Sequence, residues 1–86
     1  MERNEVLEIM RRKAVDLLEV KAEDVQPERS FVDDLQVDSL SLVEYTMDLE
    51  DELDIALPED ELTDLKTIGA FLDLIVAKLA AKGVDA

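Results

Sequence analysis

Asp38-Ser39-Leu40 lies near the middle of a stretch, residues 30 to 65, that holds thirteen acidic side chains and no Lys or Arg. A serine hydroxyl there has three uses: nucleophile, helix cap, or acceptor of a covalent group. A nucleophile needs a base, and the chain contains no His and no Cys, so a Ser-His-Asp relay is excluded. A Ser-Lys pair would have to draw on Lys13, Lys21, Lys66, Lys78 or Lys82, all far away in sequence. Gly69 and Gly83 are the only glycines, so there is no Gly-x-Ser-x-Gly elbow and no glycine-rich phosphate loop. Carboxylates are plentiful, but no pattern suggests a pocket that would separate their proton affinities. The Glu50-Asp51-Glu52-Asp54 cluster lacks the glycine and spacing of an EF-hand, so it reads as a diffuse cation surface and no metal site is expected. The chain is not expected to be an enzyme. Ser39 is suited to being modified and then presented to basic partners. A helix N-terminus accommodates a phosphodiester-linked group, while Asp38 can cap the same helix. Capping alone, with no modification, is the plainer reading of the same two residues.

The elements that position Ser39 must come from 86 residues, which means one small domain, 1–86. With no cysteine, its stability rests on an apolar core of Leu, Val, Ile and Ala; Phe31, Tyr45 and Phe71 are the only aromatics. High charge can signal disorder, but 48% of residues are hydrophobic and recur at helical spacing. The formal net charge of −14 argues against nucleic acid and anionic membrane as partners, since phosphate binding needs Lys and Arg. No apolar run approaches a membrane span and Met1-Glu2-Arg3-Asn4-Glu5 does not resemble a signal peptide, so a cytoplasmic location is expected.

Val6, Met10, Ala14 and Leu17, widened by Leu7, Ile9 and Leu18, predict an amphipathic helix from about Glu2 to Val20. Six of the nine basic residues lie at or before Arg29, so the acidity belongs to the second half. Lys21 to Asp38 reads as a long loop broken by Pro27 and pinned by Val25, Phe31, Val32, Leu35 and Val37, with Ser30 capping a single turn. A second helix is predicted from Asp38 or Ser39 to about Leu53. Leu42, Tyr45, Thr46, Leu49 and Leu53 make its core face. Leu40, Val43 and Met47 make a second apolar strip among Glu44, Asp48 and Asp51, beside Ser39. One small core can claim only one face, so this strip is expected to be exposed and to serve docking. A short helix follows Pro58 to about Asp64. Thr67 is then expected to cap a last helix with Ile68, Phe71, Leu72, Ile75 and Leu79 inward and Gly83 as its stop. The fold class is all-α: three main helices and one short one, with a long loop between the first and second.

Ser30-Phe31-Val32-Asp33-Asp34-Leu35, Val37-Asp38-Ser39-Leu40-Ser41-Leu42-Val43-Glu44, Ile55-Ala56-Leu57-Pro58-Glu59-Asp60 and Lys66-Thr67-Ile68-Gly69 together resemble the acyl carrier proteins in order and spacing. The resemblance covers nearly the whole chain and implies a right-handed four-helix bundle. It also implies that a phosphopantetheinyl transferase, using coenzyme A and Mg²⁺, attaches 4′-phosphopantetheine to Ser39, and that acyl groups ride on the arm's thiol as thioesters. The working thiol then comes from the prosthetic group, consistent with a chain that has no cysteine. By position, Asp38, Leu40, Val43, Glu44, Met47, Asp48 and Asp51 would face partner enzymes. These would be a ketosynthase, an acyltransferase and other synthase enzymes with basic docking patches, met by a monomeric carrier in type II fatty-acid or polyketide biosynthesis. Leu42, Thr46, Leu49, Leu57, Ile68 and Leu72 would line an acyl cavity or serve as ordinary core. Gln36, Tyr45 and Ala70 depart from the family's pattern, and the bulk of Tyr45 would narrow such a cavity. The alternative from another class is a non-catalytic acidic adaptor that binds a basic protein through Leu40, Val43 and Met47, with Ser39 only a cap.

Overall fold

The first helix, α1 (Arg3–Leu18), forms where apolar residues recur every four positions: Val6, Met10 and Ala14 are fully buried. The computed structural model describes residues 2–62 and 65–83 of the chain. α1 ends two residues earlier than Val20 because Glu19 adopts a left-handed conformation, φ 56°. Leu17 is a correction to the expected stripe. The buried row steps from Ala14 to Leu18, and Leu17 is 45% exposed.

The connection from Glu19 to Asp38 contains a single 3-10 turn at Ala22–Asp24 that periodicity did not signal. Val25, Phe31 and Val37 are buried and Leu35 packs at the core's edge. Val32, expected as a fourth anchor, is instead exposed, because the turn after Ser30 directs only Phe31 inward. Ser30 closes that turn twice: its Oγ accepts from the Asp33 amide at 3.1 Å and its carbonyl accepts from the Asp34 and Leu35 amides. The middle of the loop is fastened to α1 on one side and to the start of the last helix on the other. The Arg11 guanidinium donates to the Val25 carbonyl at 2.9 Å, and the Ile68 and Gly69 amides donate to the Arg29 and Pro27 carbonyls at 2.8 Å. That close approach requires the glycine, since a Cβ at position 69 would lie 2.9 Å from the Pro27 oxygen.

α2 (Ser39–Leu53) buries Tyr45, Thr46, Leu49 and Leu53 and half-buries Leu42. Leu40, Val43 and Met47 remain exposed, so the core claims the face expected of it. Asp54, at φ 52°, ends the helix. α3 (Glu59–Leu62) is one turn long; its expected continuation to Asp64 falls outside the described residues. α4 (Ile68–Ala81) starts at Thr67, whose Oγ1 accepts from the Ala70 amide at 3.1 Å, and buries Ile68, Phe71, Leu72, Ile75 and Leu79. Gly83, at φ 95°, follows its end.

α1 packs against both α2 and α4. At the centre the rings of Phe31, Tyr45 and Phe71 meet, with Phe31 edge-on to Tyr45 at 5.2 Å and to Phe71 at 6.1 Å. Tyr45 is fully buried and its hydroxyl donates to the Met10 carbonyl at 2.9 Å, tying α2 to α1. Burial holds the Tyr45 phenol well above its usual pKa, because the phenolate would be stranded without water. On the surface, Lys13 reaches Asp48 at 2.7 Å and Glu52 at 3.2 Å, and Lys78 reaches Glu61 at 2.7 Å. The hydrogen bond to Asp48, then that to Glu52, raises the Lys13 pKa.

Candidate functional site

Three local features place Ser39 at the first position of α2 with its side chain exposed. Gln36 turns the chain through a left-handed conformation, φ 55°. Val37 is then pinned in the core and donates its amide to the Phe31 carbonyl at 2.8 Å. Asp38 is extended, and its Oδ1 accepts from the Ser41 amide at 2.8 Å. Asp38 therefore performs the capping, which frees Ser39 from it. Among the described residues no hydrogen bond holds the Ser39 hydroxyl, and it faces solvent.

The face of α2 beside Ser39 mixes apolar and acidic side chains. Leu40 is 70% exposed, Met47 58% and Val43 47%. Glu44 and Asp51 are exposed, and Asp38 stands at the helix start. Asp48 differs from the other acids on this face: its carboxylate is engaged by Lys13 of α1, so part of its charge is compensated within the fold.

A cleft of about 250 Å³ opens beside Ser39, among α2, the turn after Ser30, Leu62 and Leu65, and the start of α4. Its apolar wall is built from Phe31, Leu42, Val43, Leu62, Leu65 and Phe71. Of the six residues expected to line a cavity, Leu42 and Thr46 do border this one. The Thr46 hydroxyl donates to the Leu42 carbonyl at 2.8 Å, so it brings no unpaired polar hydrogen to the wall. Leu57 borders a smaller cleft of about 120 Å³ together with Val43 and Met47. Leu49, Ile68 and Leu72 border neither and belong to the solid core. Tyr45 does not reach the cleft either; it stands behind Phe31 and Phe71. The contributions of Phe31, Phe71, Leu62 and Leu65 were missed in the sequence. Spacing within one helix cannot reveal a wall assembled from a loop and three separate elements.

The arrangement fits a group joined through a phosphodiester. The hydroxyl is exposed and unengaged, the first-turn amides of α2 favour an anion, and the adjoining cleft leaves room for what the phosphate carries. Among the described residues there is no cluster of metal-ligating side chains, and no helix is long and apolar enough to cross a membrane.

Comparison with known proteins agrees with this geometry. The family profile described as "Phosphopantetheine attachment site" matches residues 8–75. The acyl carrier protein of Thermosynechococcus vestitus is 43% identical over 81 residues, covering 94% of this chain and all of that protein. The acyl carrier protein of Picosynechococcus is 38% identical over 77 residues, covering 90% of this chain and 95% of that one. Among solved structures, the Enterococcus faecalis acyl carrier protein, described for its high thermal stability, superposes with a TM-score of 0.75. It is 31% identical and spans 91% of this chain and 99% of its own. Sequence, fold and the geometry around Ser39 converge on one conclusion: the chain belongs to the acyl carrier proteins, non-catalytic carriers whose cofactor is 4′-phosphopantetheine.

Proposed function

We propose that Ser39 is the attachment hydroxyl and that the chain, a single domain, shuttles acyl intermediates between separate enzymes of fatty-acid or polyketide biosynthesis in the cytoplasm. The observation that carries this reading is the exposed, unengaged Ser39 hydroxyl on a helix that Asp38 already caps. Loading joins Ser39 Oγ to the phosphorus of coenzyme A's pantetheine arm. The hydroxyl proton leaves, and the P–O bond to the nucleotide breaks. When bound, the arm supplies a terminal thiol that holds acyl groups as thioesters.

The residues around Ser39 then have separate tasks. Asp38, Glu44, Asp48 and Asp51 steer basic partners, the phosphopantetheinyl transferase first and then ketosynthase, acyltransferase and related enzymes. Leu40, Val43 and Met47 supply the short-range contact. Attraction of this kind is weak and salt-sensitive, which suits a monomeric carrier that must leave each enzyme. The cleft walled by Phe31, Leu42 and Phe71 offers an apolar refuge for a short acyl chain. A dry cavity of ~150 Å³ holds a six-carbon ring, so about 250 Å³ is room for on the order of ten carbons. Within the two pathways, the Ser41-Leu42-Val43-Glu44 continuation and the strong acidity favour fatty-acid synthesis.

Incubation with coenzyme A, Mg²⁺ and a broad-specificity phosphopantetheinyl transferase tests the proposal through intact mass. The wild-type chain gains one phosphopantetheine and Ser39→Ala gains none. No gain on the wild type would return Ser39 to a purely structural role and favour an adaptor that binds a basic protein.

A further inference from the structure

The cleft beside Ser39 has a polar rim with unused donors. Ser30 Oγ accepts a hydrogen bond from the Asp33 amide, and Thr67 Oγ1 accepts one from the Ala70 amide, each at 3.1 Å. A hydroxyl that accepts through oxygen still has its own proton to donate. Among the described residues neither proton has an acceptor. Lys66 is the third donor. Lys13, Lys78 and Lys82 are each paired with carboxylates, whereas Lys66, like Lys21, has no carboxylate partner among the described residues. Ser30, Lys66 and Thr67 all line the cleft together with Ser39, and among the described residues Lys66 is the only cation that does so.

These donors share a cleft with the point where new negative charge would arrive. A phosphodiester on Ser39 adds an anion to a region with thirteen carboxylates and no cation from residue 30 to residue 65. Lys66 is the first cation after that stretch, and the fold brings it to the same cleft. The arm of a phosphopantetheine also carries two amide carbonyls, which need donors wherever the arm lies against protein.

We propose that Lys66, Ser30 and Thr67 are positioning residues that hold the arm across the mouth of the cleft, with the Lys66 ammonium on the phosphodiester and the two hydroxyls on the arm's amide carbonyls. This rests on attachment at Ser39. The free carrier then keeps its arm against the cleft, and a partner must draw it away before chemistry begins. An ammonium at the rim is a surface contact, so the hold is light and reversible.

The test compares apo and loaded forms of wild type, Lys66→Gln and Lys66→Arg, with loading verified by intact mass. Lys66 is exposed, and circular dichroism of the apo variants verifies that the fold is kept. The quantity read is the loaded-minus-apo difference in Tm. It falls by roughly 1–4 °C in Lys66→Gln, is retained in Lys66→Arg, and converges between variants at ~1 M salt. In wild type, loading also shifts the amide resonances of Asp33 and Ala70, which bond the two rim oxygens. Equal Tm differences in wild type and Lys66→Gln would overturn the assignment of Lys66. Resonances of Asp33 and Ala70 that stay in place while Leu40 and Ser41 move would overturn that of the hydroxyls. Absence of any mass gain removes the attachment reading itself, and the rim assignment falls with it.

Discussion

Replacing Tyr45 by Phe removes one oxygen from the centre of the molecule and leaves the ring contacts in place. The Tyr45 hydroxyl is buried and donates to the Met10 carbonyl at 2.9 Å. Loss of such a bond costs about 1 kcal/mol near neutral pH, or ~4–8 °C in Tm for a domain of this size. The sign of that cost depends on pH. In the unfolded chain the phenol ionises near its ordinary value of ~10, whereas in the folded protein burial raises its pKa and keeps the proton on. Above pH ~10 the unfolded state therefore binds one proton fewer than the folded state, and wild-type stability declines by up to ~1.4 kcal/mol per pH unit. The Phe variant has no such penalty. By pH ~10.7 the wild type has lost ~1 kcal/mol through this linkage, so the two proteins cross there and the variant is the more stable above it. The raised pKa of Lys13 has the same sign, stabilising below its unfolded value and fading as pH rises, but it is common to both proteins and cancels in the comparison. Urea denaturation followed by circular dichroism at several pH values measures the difference. Tyr45 is the only tyrosine and there is no Trp or Cys, so tyrosinate absorbance reports its ionisation directly. A stability difference independent of pH up to ~11, or a native-state tyrosinate signal rising at ~10, would refute the argument, because the phenol would then be in contact with water.

Asp38→Ala removes the cap of α2 and is expected to cost about 0.5–2 kcal/mol in urea denaturation, with slower loading of Ser39 by the transferase as the helix start frays. Gly69→Ala places a methyl 2.9 Å from the Pro27 carbonyl and is expected to destabilise by about 1–3 kcal/mol, with the Pro27–Arg29 segment displaced from α4 in amide exchange. A net charge of −14 implies self-repulsion in the folded state, so thermal melts should shift to higher temperature as monovalent salt or divalent cations are added.

The sequence by itself determined the four α-helices, the Thr67 cap and the choice of exposed face, and left the cap of α2 between Asp38 and Ser39. Periodicity within one helix depends only on neighbouring turns, so Val6, Met10 and Ala14, or Ile68, Phe71, Leu72, Ile75 and Leu79, could be assigned inward before any tertiary contact was known. The same logic separated Tyr45, Thr46 and Leu49 from Leu40, Val43 and Met47, because one small core has room for only one face of α2. It failed at Leu17 and Val32, where a one-residue difference in direction decides burial and only the packed neighbours fix that direction. What only the tertiary structure decided was the cleft. Its wall takes Phe31 from a loop, Leu42 from α2, Leu62 from α3 and Phe71 from α4, and its rim brings Lys66 and Thr67 to Ser39 across more than twenty-five residues of chain. Pairings of that kind depend on how the elements pack against one another, which no spacing along a single helix encodes.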